Sequence, residues 1–107
     1  MIDRGALAQV KPGSLLINVA RGDLVDTPAL IDALTTGRLA GAGLDVCDPE
    51  PIDPESPLLR MDHVILTPHV ASASVPAVAA LRTRAAETAA KAIRGERLPN
   101  VVNGVNA

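Results

Sequence analysis

Ser14-Leu15-Leu16-Ile17-Asn18-Val19 is the stretch that decides how this chain folds. Its apolar residues run continuously instead of alternating, the pattern of a strand buried on both faces, as in a parallel sheet. A parallel neighbour requires a crossover, and the residues that follow supply one. Thr27 offers an N-cap, Pro28 suits the first helical position, Leu30, Ile31 and Leu34 form an inward stripe, and Gly37 closes the helix. Leu39 to Val46 then reads as a second strand, its Ala and Gly residues marking where another backbone or a ligand must come close.

The rest of the chain extends this pattern in both directions. Upstream, Asp3 to Val10 is a short helix with Asp3 as N-cap, ended by Lys11-Pro12-Gly13. Downstream, Cys47 to Asp62 is a long loop whose prolines (Pro49, Pro51, Pro54, Pro57) forbid regular structure, and Val64-Ile65-Leu66 is a third short strand. The longest helix runs from about Val75 to Arg94, with Ser74 as N-cap and Gly95 as terminator. Val78, Leu81, Ala85, Ala89 and Ile93 recur along it at spacings of three and four, while Arg82, Glu87 and Lys91 lie off that stripe and Glu87 with Lys91 makes a favourable i,i+4 pair. Helices alternating with buried strands define an α/β fold: a partial doubly wound parallel sheet of about three strands, flanking helices and a long C-terminal helix.

Composition bounds what such a fold can do. With 107 residues, 48% hydrophobic, the chain is one domain or part of one; a mean hydropathy of +0.25 excludes disorder, and no apolar run is long enough for a bilayer. A net charge of −2 without a basic run gives no footprint for nucleic acid or an anionic membrane. The single cysteine, Cys47, cannot form an internal disulfide, and the N-terminus lacks a signal-peptide pattern, so the expected compartment is the cytoplasm. There is no Phe, Tyr or Trp, so the core is built from Leu, Ile, Val and Ala, and nothing can stack strongly on a base.

In an open parallel sheet, ligands bind outside the C-terminal strand ends. Arg21, Asp45 and His69 fall at the ends of strands one, two and three, and Glu50 follows in the loop after the second. Arg21 presents a planar fork of donors matched to a carboxylate, and Gly22 behind it reads as a flexible joint; the competing reading is a surface arginine paired with Asp23 or Asp26. His69 can take or give a proton in turnover, or be a capping histidine. Glu50 tips that balance if it reaches His69, because a neighbouring carboxylate favours the imidazolium and fixes the tautomer; otherwise it is one acid in an acidic loop. Asp45 is an awkwardly buried carboxylate, needing donors from a ligand amide or from loop backbone. Gly41-Ala42-Gly43 is not a phosphate-binding turn, since it lies within a strand, lacks a third glycine and opens no helix. No metal-ligand spacing occurs, His63 and Cys47 being isolated, and Ser72 and Ser74 lack a nucleophile elbow.

Three ordered signatures now coincide: Leu16-Ile17-Asn18-Val19-Ala20-Arg21-Gly22, then Gly43-Leu44-Asp45-Val46 with Glu50-Pro51, then Leu66-Thr67-Pro68-His69-Val70-Ala71. Together they resemble the NAD-dependent D-isomer-specific 2-hydroxyacid dehydrogenases, from Ile2-Asp3 to Pro99-Asn100-Val101-Val102-Asn103. The resemblance implies a Rossmann-like fold and a catalytic set of Arg21, Glu50 and His69. Arg21 would bind the substrate carboxylate and carbonyl, His69 would take the hydroxyl proton, and Glu50 would pair with the histidine. It implies a cofactor, NAD or NADP, lined by Val19, Ala20, Arg21, Asp45, His69, Ala71 and Ser72. The partner implied is a small 2-hydroxyacid or 2-oxoacid, with formate disfavoured because Glu50 stands where an amide would be expected.

The family's glycine-rich phosphate turn, its following acid and its substrate-binding domain have no counterpart here, so the resemblance covers roughly the C-terminal third of a full enzyme. It divides the chain into 1–73, the C-terminal half of an NAD-binding domain, and 74–107, a closing helix and tail returning toward the substrate domain. Cys47 stands where an aromatic is common. The expectation is a fragment of an oxidoreductase, from a truncated gene or a split frame, inactive and weak in NAD binding by itself. Its unpaired edge and apolar face would need a homo-oligomer or the N-terminal portion to cover them. The alternative is a non-catalytic, corepressor-like interaction module or an inactive remnant.

Overall fold

A computed structural model of the chain describes residues 1–102; Asn103, the last residue of the closing stretch, lies outside them. The chain forms two compact units, Met1–Ala71 and a second beginning at Ser72.

In the first unit, helix α1 (Arg4–Gln9) is capped by Asp3, whose carboxylate accepts from Ala6 N at 2.8 Å, and it buries Leu7. Strand β1 (Ser14–Asn18) follows, then helix α2 (Thr27–Thr35), strand β2 (Leu39–Leu44) and strand β3 (Val64–Leu66). The order across the sheet is β1-β2-β3 with both pairings parallel, Ile17 opposite Gly43 and Leu44 opposite Leu66. This is the open α/β sheet that the continuous apolar runs predict. The core lies on one side of it, where Leu7, Leu30, Leu34, Leu39, Leu44 and Leu58 meet.

Three local expectations change. The cap of α2 is Asp26, which accepts from Ala29 N at 2.9 Å, so Thr27 becomes the first helical residue. Its hydroxyl is thereby freed to donate to Asp48 O at 2.9 Å and tether the loop after β2. Strand β2 ends at Leu44, which leaves Asp45 and Val46 buried just beyond the ladder. The proline-rich loop carries a 3₁₀ turn at Pro57–Arg60, because proline is well tolerated at the start of a helical turn. Gly41 behaves as expected for close backbone approach, since a Cβ there would lie 2.6 Å from His63 O; at Gly43 the neighbour is a side chain, Ile17 Cδ1, 3.1 Å from such a Cβ.

The second unit is dominated by helix α3 (Val75–Ile93), capped by Ser74 Oγ, which accepts from Ala77 N at 3.2 Å, and terminated by Gly95 at φ +68°. None of its residues is buried, and Leu81 is 70% exposed. Glu87 and Lys91 do not form an ion pair; the basic partner found near the helix end is Arg94, which pairs with Glu96. A solvated i,i+4 pair gains so little that its side chains need not close.

Candidate functional site

The expected residues stand on the loops that leave the three strand ends, and the loops after β1 and β3 are each shaped by one buried polar side chain. After β1, Asn18 is buried and turns its carboxamide back on its own loop. Its Nδ2 donates to Arg21 O at 2.9 Å, and its Oδ1 accepts from Ala20 N at 3.0 Å. Arg21 is thereby presented at the surface, its Nη1 donating to Ala20 O at 2.6 Å. It forms no ion pair with Asp23 or Asp26 among the described residues, so its charge is available to an anion.

Gly22 is not a flexible joint. It is buried, and a Cβ there would fall 1.9 Å from Cys47 O, so glycine is needed because the chain leaving β2 passes directly against it. Close approach of one backbone to another is the physical reason, and it locks Arg21 beside the loop that carries Glu50.

After β3, the shaping group is Asp45 at the end of the central strand, 5% exposed. Its own N–H donates to Asn18 O at 2.9 Å, which extends the sheet pairing by one step. Its carboxylate collects Thr67 Oγ1 at 2.5 Å, Val70 N at 2.9 Å and Ala71 N at 2.9 Å. Of the two sources of donors open to a buried carboxylate at this position, loop backbone is thus the one realised. The Thr67 hydroxyl holds Asp45 below the usual carboxylate range. Burial opposes this, and the N–H groups of Ala71 and Val70 and the proximity of His69 assist it.

His69 lies inside the loop so pinned, and Glu50 reaches it. His69 Nδ1 and Glu50 Oε1 are 2.6 Å apart, with the side chains 44% and 45% exposed. An ionised carboxylate only accepts, so the proton sits on Nδ1 and Nε2 is left for another partner. The pair forms part of the wall of a cleft of about 560 Å³, together with Asp45, Cys47, Ile52, Leu59 and Leu66. Arg21 does not line this cleft. The Cys47 thiol beside the pair is pushed up, first by burial and then by the charge of Glu50, so the reactive thiolate is disfavoured.

Val19 is 62% exposed and Ala20 is exposed at the end of β1; Ala71 is held by Asp45, and Ser72 opens the second unit. Sequence reasoning did not single out Asn18 or Thr67. The available signal was a polar residue at the last position of a strand, or immediately after one, where the loop's backbone donors need an acceptor.

Comparison with known proteins identifies the family. The family model described as D-isomer specific 2-hydroxyacid dehydrogenase, NAD binding domain, matches residues 1–71. A glyoxylate reductase of Thermofilum pendens is 45% identical over 96% of this chain, and a D-3-phosphoglycerate dehydrogenase of Mycobacterium tuberculosis is 44% identical over the same share. The chain spans 30% of the first and 19% of the second. Among solved structures, a D-isomer specific 2-hydroxyacid dehydrogenase from Xanthobacter autotrophicus, in complex with NADPH and MES, is 43% identical with a TM-score of 0.81; the match covers 94% of this chain and 40% of that one. The chain belongs to the D-isomer specific 2-hydroxyacid dehydrogenase family, as part of its NAD-binding domain.

Proposed function

We propose that this chain carries the catalytic end of an NAD(P)-dependent oxidoreductase that interconverts a small D-2-hydroxyacid and its 2-oxoacid. The observation that carries the reading is the 2.6 Å contact between His69 Nδ1 and Glu50 Oε1 at the C-terminal edge of a parallel sheet. With Nδ1 engaged, Nε2 is the atom that takes the hydroxyl proton in oxidation and returns it in reduction, and Glu50 stabilises the imidazolium between. Arg21, exposed and without an ion pair among the described residues, holds the substrate carboxylate and counters charge developing on the carbonyl oxygen. A bound nicotinamide cofactor would supply the hydride exchange at C2.

The residues present fit the nicotinamide end of such a cofactor. Ile52, Leu59 and Leu66 give apolar wall beside the proton-carrying pair, and the cleft has the size of a small-molecule site. Val19, Ala20, Arg21, Asp45, His69, Ala71 and Ser72 are the residues assigned to that end, in either NAD or NADP. Residues 1–73 are read as half of the cofactor domain, and 74–107 as the closing helix and tail, in a cytoplasmic enzyme that assembles through this region. Among the described residues, no helix is long and apolar enough to cross a membrane.

The test is His69→Ala in a protein that carries this chain together with the remaining lengths of its relatives. Turnover of glyoxylate, hydroxypyruvate and related 2-oxoacids should fall below detection in the variant while cofactor still binds. Absence of any 2-oxoacid reduction by the unaltered protein would favour the non-catalytic interaction module instead.

A further inference from the structure

His69 adopts φ +54°, in the left-handed region that a residue with a Cβ holds only when its surroundings impose it. The chain is tied down on both sides of it, and by one group. Thr67 Oγ1 donates to Asp45 Oδ1 just before the histidine, and the N–H groups of Val70 and Ala71 donate to Oδ1 and Oδ2 just after it. The His69 N–H, pointing back, donates to Thr67 O at 3.0 Å and closes a three-residue turn about Pro68. Asp45 is itself a fixed point, buried at the end of the central strand and paired through its own N–H to Asn18 O.

We propose that Asp45, with Thr67 as its hydroxyl donor, is the positioning device of the site: it imposes the left-handed turn that aims His69 Nδ1 at Glu50. The inference rests on the proposed function only in reading His69 as the proton carrier. Neither residue needs to touch the reacting atoms. Thr67 acts through Asp45, Asp45 acts through the backbone, and the backbone sets the imidazole. An unpinned loop would relax His69 toward negative φ, swing its side chain off Glu50 and leave the ring free to choose its tautomer.

The experiment reads that tautomer directly, in the full 107-residue chain with ¹⁵N-labelled histidine, at a pH where both rings are neutral. The chain has two histidines, so His63, just ahead of β3, is an internal reference. In the unaltered chain the Nδ1–H form should dominate at His69. Thr67→Val, which keeps the shape and removes the donor, should lower the ratio of Nδ1–H to Nε2–H about three- to tenfold at His69 while His63 is unmoved. Thr67→Ser, which restores the hydroxyl, should recover the ratio. A Thr67→Val chain with an unchanged His69 ratio overturns the proposal.

Should that variant fail to fold, the unaltered chain decides. Exchange-protected Val70 and Ala71 amides together with a positive φ at His69 support the clamp, and unprotected amides or a negative φ overturn it. None of these readings requires turnover. A clamp that behaves as expected in a protein without 2-oxoacid reduction removes the functional reading alone, and an active enzyme with an indifferent His69 removes the clamp alone.

Discussion

The loops after β1 and β3 present the two ends of the proposed chemistry, and they are held in different ways. Arg21 stands on a loop shaped by a neutral carboxamide, Asn18, and wedged by Gly22 against the backbone at Cys47. His69 stands on a loop gathered around a charge, the Asp45 carboxylate. The carboxamide both donates and accepts, and here it satisfies one group of each kind. The carboxylate only accepts, and it takes three donors. The anion-binding side of the site is therefore indifferent to protonation of its support, whereas the proton-transfer side depends on it.

The largest effect that would break this comparison is Gly22→Ala. A methyl group placed 1.9 Å from Cys47 O must push the two loops apart, at or beyond the upper end of the about 1–3 kcal/mol typical of overpacking, read by chemical denaturation. A shift below about 0.5 kcal/mol would mean that the Arg21 loop is not wedged. Next comes Asn18→Ala, which strips Ala20 N and Arg21 O of their partner in a half-buried setting. It should destabilise by about 1–3 kcal/mol and loosen the Ala20 amide in hydrogen exchange, with Val70 and Ala71 unaffected.

The contrast in charge gives a third, smaller effect. Asp45 sits below its ordinary range in the folded chain, so the unfolded chain binds its proton first. Its contribution to stability is complete above the ordinary aspartate range and is lost as pH falls through the lower folded value. Protection of the Val70 and Ala71 amides should decline over that acid window, while that of Ala20 holds. Parallel loss at all three would erase the distinction. The smallest effect is expected at Ile17→Ser, on the open side of the sheet. Ile17 is 68% exposed, so stability should move by less than about 0.5 kcal/mol, while sedimentation should show less self-association than in the unaltered chain.

That open side marks where reading the sequence stopped. The stretches 14–19, 39–46 and 64–66 were legible as strands, the first through a continuous apolar run of the kind expected where both faces are covered, and the structure shortens the first two to Ser14–Asn18 and Leu39–Leu44. Within the first unit only one face is covered: Leu44 is buried, whereas Leu15, Ile17 and Ile65 are about 70% exposed. A local pattern reports the hydrophobicity of a face and is silent on what covers it. The stripe of α3 teaches the same lesson, being correctly periodic and entirely unburied. Caps were legible to within one residue, since Asp26 and Thr27 are both competent and only backbone geometry chooses between them.

For the site, sequence order and motif chemistry determined which residues stand at the strand ends: an arginine after β1, an aspartate after β2, a histidine after β3, and a glutamate in the loop between. Those positions follow from strand boundaries, which short-range patterns encode. That Glu50 meets His69 at 2.6 Å, that Asp45 spends its carboxylate on the loop 25 residues downstream, and that Gly22 is demanded by Cys47 were decided only by the tertiary structure. Each is a contact between segments far apart in the chain, fixed by the parallel register of β1, β2 and β3. No local pattern carries that register, because it depends on how the strands and the helices packed on them share one core.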